Sequence, residues 1–148
     1  MKISTGTQFF NEYLEGGYDE DIITTIYGPS GSGKTNLCLI AAVKIAEQGK
    51  KVIFIDTEGG IAVERISQLS SSTVLDNMIF LNPMTFAHQK EIFNNLHTMV
   101  NEDVGMIVVD SISMLYRLAL GSAEEVYQVN SSLGKQLAQL IEITRTHK

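Results

Sequence analysis

The stretch of this sequence best suited to chemistry is Gly28-Pro29-Ser30-Gly31-Ser32-Gly33-Lys34-Thr35. It fits the pattern G-x-x-x-x-G-K-[ST], in which glycines let the backbone wrap around phosphate without a clash from Cβ. The N–H groups and the start of the following helix then point at the anion. We expect Lys34 to reach the β- and γ-phosphates and the Thr35 hydroxyl to take a magnesium position. A plain Gly- and Ser-rich surface turn is the alternative, and the strand and helix patterns on either side disfavour it.

Three acidic residues end two other apolar runs. Asp110 closes residues 106–110, and hard cations such as Mg²⁺ prefer carboxylate oxygens, although an acid there can also cap a turn. Asp56 and Glu58 follow the run over residues 51–55. Glu58 could orient and deprotonate a water for attack on a γ-phosphate, or it could form a salt bridge at the strand end. Spacing alone leaves both readings of Glu58 open.

The elements that must position these residues alternate along the chain. The patterns predict helices over residues 4–15, 35–48, 61–69 and 86–100 and from 122 to about 144, and strands over 22–27, 51–56, 77–81 and 106–110. Strands that are apolar throughout predict a parallel β-sheet with helices on both faces, a three-layer α/β fold. Such sheets bind ligands at the carboxyl ends of their strands, where the glycine-rich loop, Asp56 and Asp110 all lie.

Composition narrows the functional classes. The 148 residues suit one domain, their formal charge is −6, and an acidic chain with three arginines argues against tight nucleic-acid binding by the isolated chain. No apolar run approaches a membrane span and no signal peptide is visible, so we expect a cytoplasmic protein without a membrane partner. Cys38, the single cysteine, falls on a helix face expected to be buried and is read as a core residue. The spacing of the three histidines gives no metal pair.

Beyond these patterns, the sequence resembles the RecA/RadA recombinase family. The segments that carry the resemblance span nearly the whole chain: Ser4-Thr5-Gly6, residues 9–17, residues 28–35, residues 54–59 with Glu64-Arg65, residues 108–111, and residues 133–137 up to Arg145. Within the family it looks closest to the archaeal RadB-like members, which lack the N-terminal helical domain of RadA. The resemblance implies a RecA-type P-loop core over residues 1–148 with no separate N-terminal helical domain.

The resemblance also implies roles for individual residues. Glu58 and Lys34 would be catalytic, Thr35 and Asp110 would hold Mg²⁺, and Arg65 would stack on adenine, as a planar guanidinium can. The implied set of ATP-binding residues is Gly28, Pro29, Ser30, Gly31, Ser32, Gly33, Lys34, Thr35, Asn36 and Arg65.

For function, the resemblance implies an accessory factor of DNA recombination and repair that binds ATP and hydrolyses it weakly or not at all. Any turnover would be that of a weak DNA-dependent ATPase. Implied partners are a RadA-type recombinase or other repair proteins and further copies of the chain, since the family forms filaments or rings. Residues 117–125, where the family has its first DNA loop, hold one base and two acids, which predicts weak single-stranded DNA binding. Two alternatives share the same core: a KaiC-like signalling ATPase, and a non-hydrolysing adaptor that nucleotide orders.

One feature departs from the family. The sequence ends at Lys148, where the family continues with another strand that lies between those predicted at residues 22–27 and 106–110. Without that strand, backbone groups on both sides lack ladder partners. We therefore expect a core truncated at its C-terminus.

Overall fold

The computed structural model describes residues 1–60 and 63–147, without the side chains of Val63 and Ser72. Its strands are β1 (Lys2–Ile3), β2 (Tyr18–Asp19), β3 (Lys51–Asp56), β4 (Met78–Leu81) and β5 (Val104–Asp110). Its helices are α1 (Gln8–Tyr13), α2 (Lys34–Glu47), α3 (Val63–Leu69), α4 (Phe86–Met99), α5 (Met114–Ala119) and α6 (Ala123–Thr146), with a 3-10 helix over Ser72–Asn77.

A parallel sheet in the order β4-β3-β5 forms the centre of the fold. Val52 pairs with Met78 on one side of β3 and with Met106 on the other, and Asp56 lies level with Asp110. Because parallel strands share one direction, the carboxyl ends of β3 and β5 meet at the same edge of the sheet. This edge brings together the two aspartates that the sequence placed at strand ends.

Helices cover both faces of this sheet. Alternate residues of β3 point to opposite sides, so Val52 and Phe54 pack with α2, α3 and the 3-10 helix, while Ile53 and Ile55 pack with α4 and α6. Burying each such side chain contributes about 1.5–3 kcal/mol. The predicted three-layer α/β fold is confirmed.

The predicted strand over residues 22–27 is wrong. The segment has no regular structure, and Ile22, Ile23 and Tyr27 are 56%, 40% and 91% exposed. β-Branched apolar residues form a strand only where a neighbour supplies ladder hydrogen bonds, and in the described ranges β3, β4 and β5 pair only with one another. The pattern identified the strand propensity of this segment, but none of the described strands lies beside it to pair with it.

Other boundaries moved less. The helix predicted over residues 4–15 is confined to α1, where Thr7 caps the start by accepting a hydrogen bond from the amide of Phe10. Residues 2–3 and 18–19 instead form a small antiparallel ribbon that was not predicted, and α5 was not predicted either. The capping box predicted for the last helix is confirmed, since the amide of Ser122 donates to Glu125 Oε2 at 2.7 Å.

The remaining predicted elements are present with ends shifted by a few residues. Residues 61 and 62 of the predicted third helix lie outside the described residues. None of the described helices is at once long and apolar enough to cross a membrane.

Candidate functional site

The closest contact between the predicted site residues joins Thr35 and Asp110. The Thr35 hydroxyl in the first turn of α2 donates to Asp110 Oδ2 at the end of β5, at 2.6 Å. Asp110 is only 8% exposed, so this carboxylate is held in one place. A hydroxyl and a carboxylate are hard oxygen ligands, and this spacing allows both to contact one small cation. The two residues predicted to hold Mg²⁺ therefore lie together.

The glycine-rich loop leads into α2 through two left-handed residues. Gly31 and Gly33 have φ values of +75° and +91°, which residues with a Cβ adopt only at a cost of about 1–2 kcal/mol. Gly33 is also the N-cap residue of α2. The glycines at these two positions are thus required by backbone conformation.

Lys34 lies across this loop. Its Nζ donates to the carbonyl oxygens of Gly28 at 2.9 Å and Pro29 at 2.8 Å. An ammonium group has three donors and no acceptor. The contacts keep the positive charge beside the loop, where phosphate oxygens could compete with the two carbonyls for the same N–H groups.

Asp56 shapes the turn that carries Glu58. Asp56 is 3% exposed, and its Oδ1 accepts from the amides of Glu58 at 3.0 Å and Gly59 at 2.9 Å. The Glu58 side chain is exposed. Among residues 1–60 and 63–147, no lysine or arginine forms an ion pair with Glu58, so the salt-bridge reading of this residue finds no partner.

A threonine next to Glu58 extends the pairing of β3 with β5 beyond Asp110. The Thr57 amide donates to the Asp110 carbonyl at 2.9 Å. The Thr57 hydroxyl donates to the Ser111 carbonyl and accepts from the Ser111 amide, both at 2.8 Å. The Asp110–Ser111 peptide bond is cis. Sequence reasoning missed this clamp, because a threonine after a strand is too common to point to a particular partner.

Arg65 and Asn36, both predicted to contact nucleotide, are joined to each other. Arg65 Nε donates to Asn36 Oδ1 at 3.3 Å, and Arg65 Nη1 donates to Gln68 Oε1 at 3.0 Å. The guanidinium is exposed. These contacts hold the guanidinium beside the first turn of α2, because Asn36 directly follows Thr35 in the sequence.

Cys38 is a core residue, as predicted. It packs at the edge of the cluster between the sheet and α2. Burial, followed by the negative charge of Asp110, raises the pKa of the Cys38 thiol to about 11. Burial, followed by Cys38, also raises the pKa of Tyr18. A thiol with a raised pKa holds little thiolate at neutral pH and is a poor nucleophile there.

Tyr116 serves packing between helices. Its ring meets Phe86 edge-on with centroids 6.2 Å apart, and its hydroxyl donates to Asn130 Oδ1 at 2.6 Å. Arg117 donates hydrogen bonds to Ser113, the N-cap residue of the same short helix.

An open hollow of about 620 Å³ along α1 is lined by none of the predicted site residues.

The family model and the related proteins that match this chain point to the same family. The family model described as Rad51 matches residues 1–148. The chain is 42% identical to a "DNA repair and recombination protein RadB" of Methanococcus maripaludis over 138 residues, which are 90% of this chain and 63% of that protein. Proteins of the same name are 41% identical in Methanocaldococcus jannaschii and 37% identical in Methanobrevibacter smithii, with 92% and 99% of this chain and 66% and 63% of those proteins covered. The chain thus spans about 63% of the length of the relatives it matches.

Proposed function

The chain belongs to the Rad51 family, and from that premise we propose that it binds Mg-ATP at residues 28–35 and serves DNA recombination and repair as an accessory protein. The observation that carries the proposal is the 2.6 Å contact between Thr35 and Asp110. These two oxygens come from elements 75 residues apart in sequence, directly beside a loop with the phosphate-binding pattern.

The donor set fits a magnesium ion bound together with nucleotide. Mg²⁺ is usually held by one or two carboxylates together with phosphate and water oxygens, and no cluster of three or more metal-ligating side chains occurs in the described parts of the chain. Thr35 and Asp110 would supply the protein oxygens. When bound, Mg²⁺ would neutralise charge on the phosphates.

The other residues would act on the two ends of the nucleotide. Lys34 would exchange its contacts with the carbonyls of Gly28 and Pro29 for phosphate oxygens. Arg65, fixed by Asn36 and Gln68, would present its planar face to the adenine ring. The Glu58 carboxylate would accept a proton from the attacking water.

We expect hydrolysis to be weak or absent. Efficient general-base catalysis requires a carboxylate held within hydrogen-bond reach of the water. The Glu58 side chain is exposed to solvent, which leaves its orientation towards such a water unfixed. This observation favours a second candidate function, a non-hydrolysing adaptor whose protein-binding surface is ordered by nucleotide.

The partners follow from the family and the charge. The relatives are named DNA repair and recombination proteins, and a match to the Rad51 family over residues 1–148 favours that role over a KaiC-like one. With a net charge of −6 and few bases in residues 117–125, DNA binding would be weak and sensitive to salt. We therefore propose a RadA-type recombinase or another repair protein as the main partner.

The experiment that tests the proposal is calorimetric titration of Mg-ATP into wild type and Lys34→Ala. The variant removes the ammonium that contacts Gly28 and Pro29, so we expect affinity to fall at least about a hundredfold, the order of a lost charge-assisted phosphate contact with a desolvated anion. Lys44→Ala is the matched control, because Lys44 lies on the same helix but pairs with Glu47 at the surface. Equal affinity in wild type and Lys34→Ala would reject the site.

Glu58→Gln separates the two candidate functions. If the chain is a weak ATPase, this variant keeps Mg-ATP affinity and loses turnover by about a hundredfold, since general-base catalysis contributes about 10²–10⁴. Turnover is measured by phosphate release with and without single-stranded DNA. Turnover unchanged by the substitution would remove Glu58 from the catalytic residues, and absent turnover with nucleotide-dependent partner binding would establish the adaptor.

A further inference from the structure

Two glutamines form a buried pair between α4 and α6. Gln89 is 0% exposed and Gln136 is 1% exposed, and Gln89 Nε2 donates to Gln136 Oε1 at 2.7 Å. Glutamine is rarely buried to this extent in a core that apolar side chains could fill. The pair therefore calls for a reason beyond filling space.

A second contact ties the pair to the strand that carries Asp110. Gln89 Nε2 also donates to the carbonyl oxygen of Ile112, at 3.4 Å. Ile112 lies two residues after Asp110 and one after Ser111, which Thr57 clamps from the other side. The segment that follows β5 is thus hydrogen-bonded on one side to the Thr57 hydroxyl and on the other to the Gln89 amide of α4.

The contact with Ile112 favours one orientation of the Gln89 amide, and that orientation leaves polar atoms without a partner. If the Gln89 amide were turned over, its oxygen would face the oxygens of both Gln136 and Ile112, which repel it. In the observed orientation Gln89 Oε1 and Gln136 Nε2 are buried without hydrogen bonds, as is Ser111 Oγ. Leaving buried polar groups unpaired lowers stability, so an apolar pair of the same shape would suit folding at least as well.

We propose that Gln89 and Gln136 are positioning residues that hold the Asp110–Ile112 segment in register and thereby link the placement of α6 to the metal-binding carboxylate. This inference rests on the proposed function for the role of Asp110. The link runs from Gln136 on α6 through Gln89 to Ile112, and along the backbone to Asp110, which accepts from Thr35. Movement of α6 would act on the Thr35–Asp110 contact through this path.

The same two helices provide a matched control. Gln139 Nε2 on α6 donates to Asn94 Oδ1 on α4 at 2.9 Å. This second amide bridge joins the same helices with the same chemistry, but Asn94 is exposed and the bridge does not contact the end of β5. Removing it tests helix–helix bonding without the strand contact.

The first measurement is hydrogen exchange in the absence of nucleotide. The variants are Gln89→Met with Gln136→Met, which replaces both amides by apolar groups of similar length, and Asn94→Leu with Gln139→Met. We expect the glutamine-pair variant to stay folded and to lose protection at the amides of Thr57 and Ser111 by about fivefold, the effect of one hydrogen bond. The control variant should leave both amides at the wild-type rate. Unchanged protection at both amides in the glutamine-pair variant would overturn the inference, and so would an equal loss in the control.

The second measurement is the ratio of ATP affinities with and without Mg²⁺. A purely structural role would leave this ratio unchanged, whereas displacement of Asp110 lowers it. We expect the ratio to fall about fivefold in the glutamine-pair variant while Mg²⁺-free affinity, which depends on the loop, stays constant. A ratio equal to that of wild type would overturn the inference. If the proposed function failed, wild type itself would bind no Mg-ATP. The hydrogen-exchange measurement needs no nucleotide and would still test the inference in that case.

Discussion

The segments before and after the glycine-rich loop are both rich in apolar side chains, but they differ in burial. After the loop, α2 buries Leu39, Val43 and Ile45 to within 4% exposure. Before it, residues 22–27 are comparably rich in apolar residues and richer in β-branched ones, yet Ile22 is 56% exposed. A helix satisfies its own backbone hydrogen bonds, whereas a strand depends on a neighbour. Hydrophobic pattern alone therefore predicted the helix correctly and the strand wrongly.

This difference decides how well each part of the site is fixed. Thr35 and Asp110 lie on α2 and β5, both packed in the core, and they contact each other. Gly28 and Pro29 follow the exposed segment, and within the described chain the hydrogen bonds from Lys34 connect them to α2. The part of the proposed site that would hold Mg²⁺ is thus built into the fold, and the loop that would hold phosphate depends on contacts made by its own lysine.

The largest predicted effect compares the same truncation on the two sides. Ile45→Ala removes a side chain that is 4% exposed and should lower the free energy of unfolding by about 2–5 kcal/mol. Ile22→Ala removes one that is 56% exposed and should change it by less than about 0.5 kcal/mol. Urea denaturation followed by circular dichroism measures both. A loss at Ile22 equal to that at Ile45 would show that residues 22–27 are packed, and the contrast between the two sides would disappear.

The smallest predicted effect concerns Cys38 on the packed side. Its thiol pKa is raised to about 11, first by burial and then by Asp110, so its alkylation rate should keep rising as pH approaches 11, whereas the rate of a free cysteine is already half-maximal at about pH 8.5. Because the folded pKa is raised, the stability linked to the neutral thiol is full below about pH 9 and is lost as pH rises towards 11.

Asp110→Asn removes the second cause of this shift and leaves the first. We expect alkylation of Cys38 by iodoacetamide at pH 9 to become a few times faster, since burial still disfavours the thiolate. Tyr116→Phe, distant in sequence from Cys38 and bonded to Asn130, is the control and should leave the rate unchanged. A slower reaction in Asp110→Asn would mean that the carboxylate does not act on the thiol.

The parts of the site that sequence could predict were those fixed by sheet direction. Asp56 and Asp110 were expected to converge because parallel strands end at one edge, and they lie level there. The loop was expected at the same edge because of a strand over residues 22–27 that does not form, and Thr35 reaches Asp110 from the first turn of α2 instead. The Thr57–Ser111 clamp and the pairing of Gln89 with Gln136 depend on which helices and strands become neighbours. Glutamine and threonine occur in many helices and turns, so their types carried no signal of these contacts. Residues 22–27 failed for the complementary reason, since their propensity was clear and their neighbour was not.

The most direct test of the central claim is a double-mutant cycle on Thr35→Val and Asp110→Asn, read out as the gain in ATP affinity that Mg²⁺ provides. If both residues serve one metal position, each single variant should lose about tenfold of that gain, and the double variant should lose little more than the worse single variant. ATP affinity without Mg²⁺ should stay at the wild-type value in all three. A Mg²⁺-dependent gain that survives intact in both single variants would contradict the account.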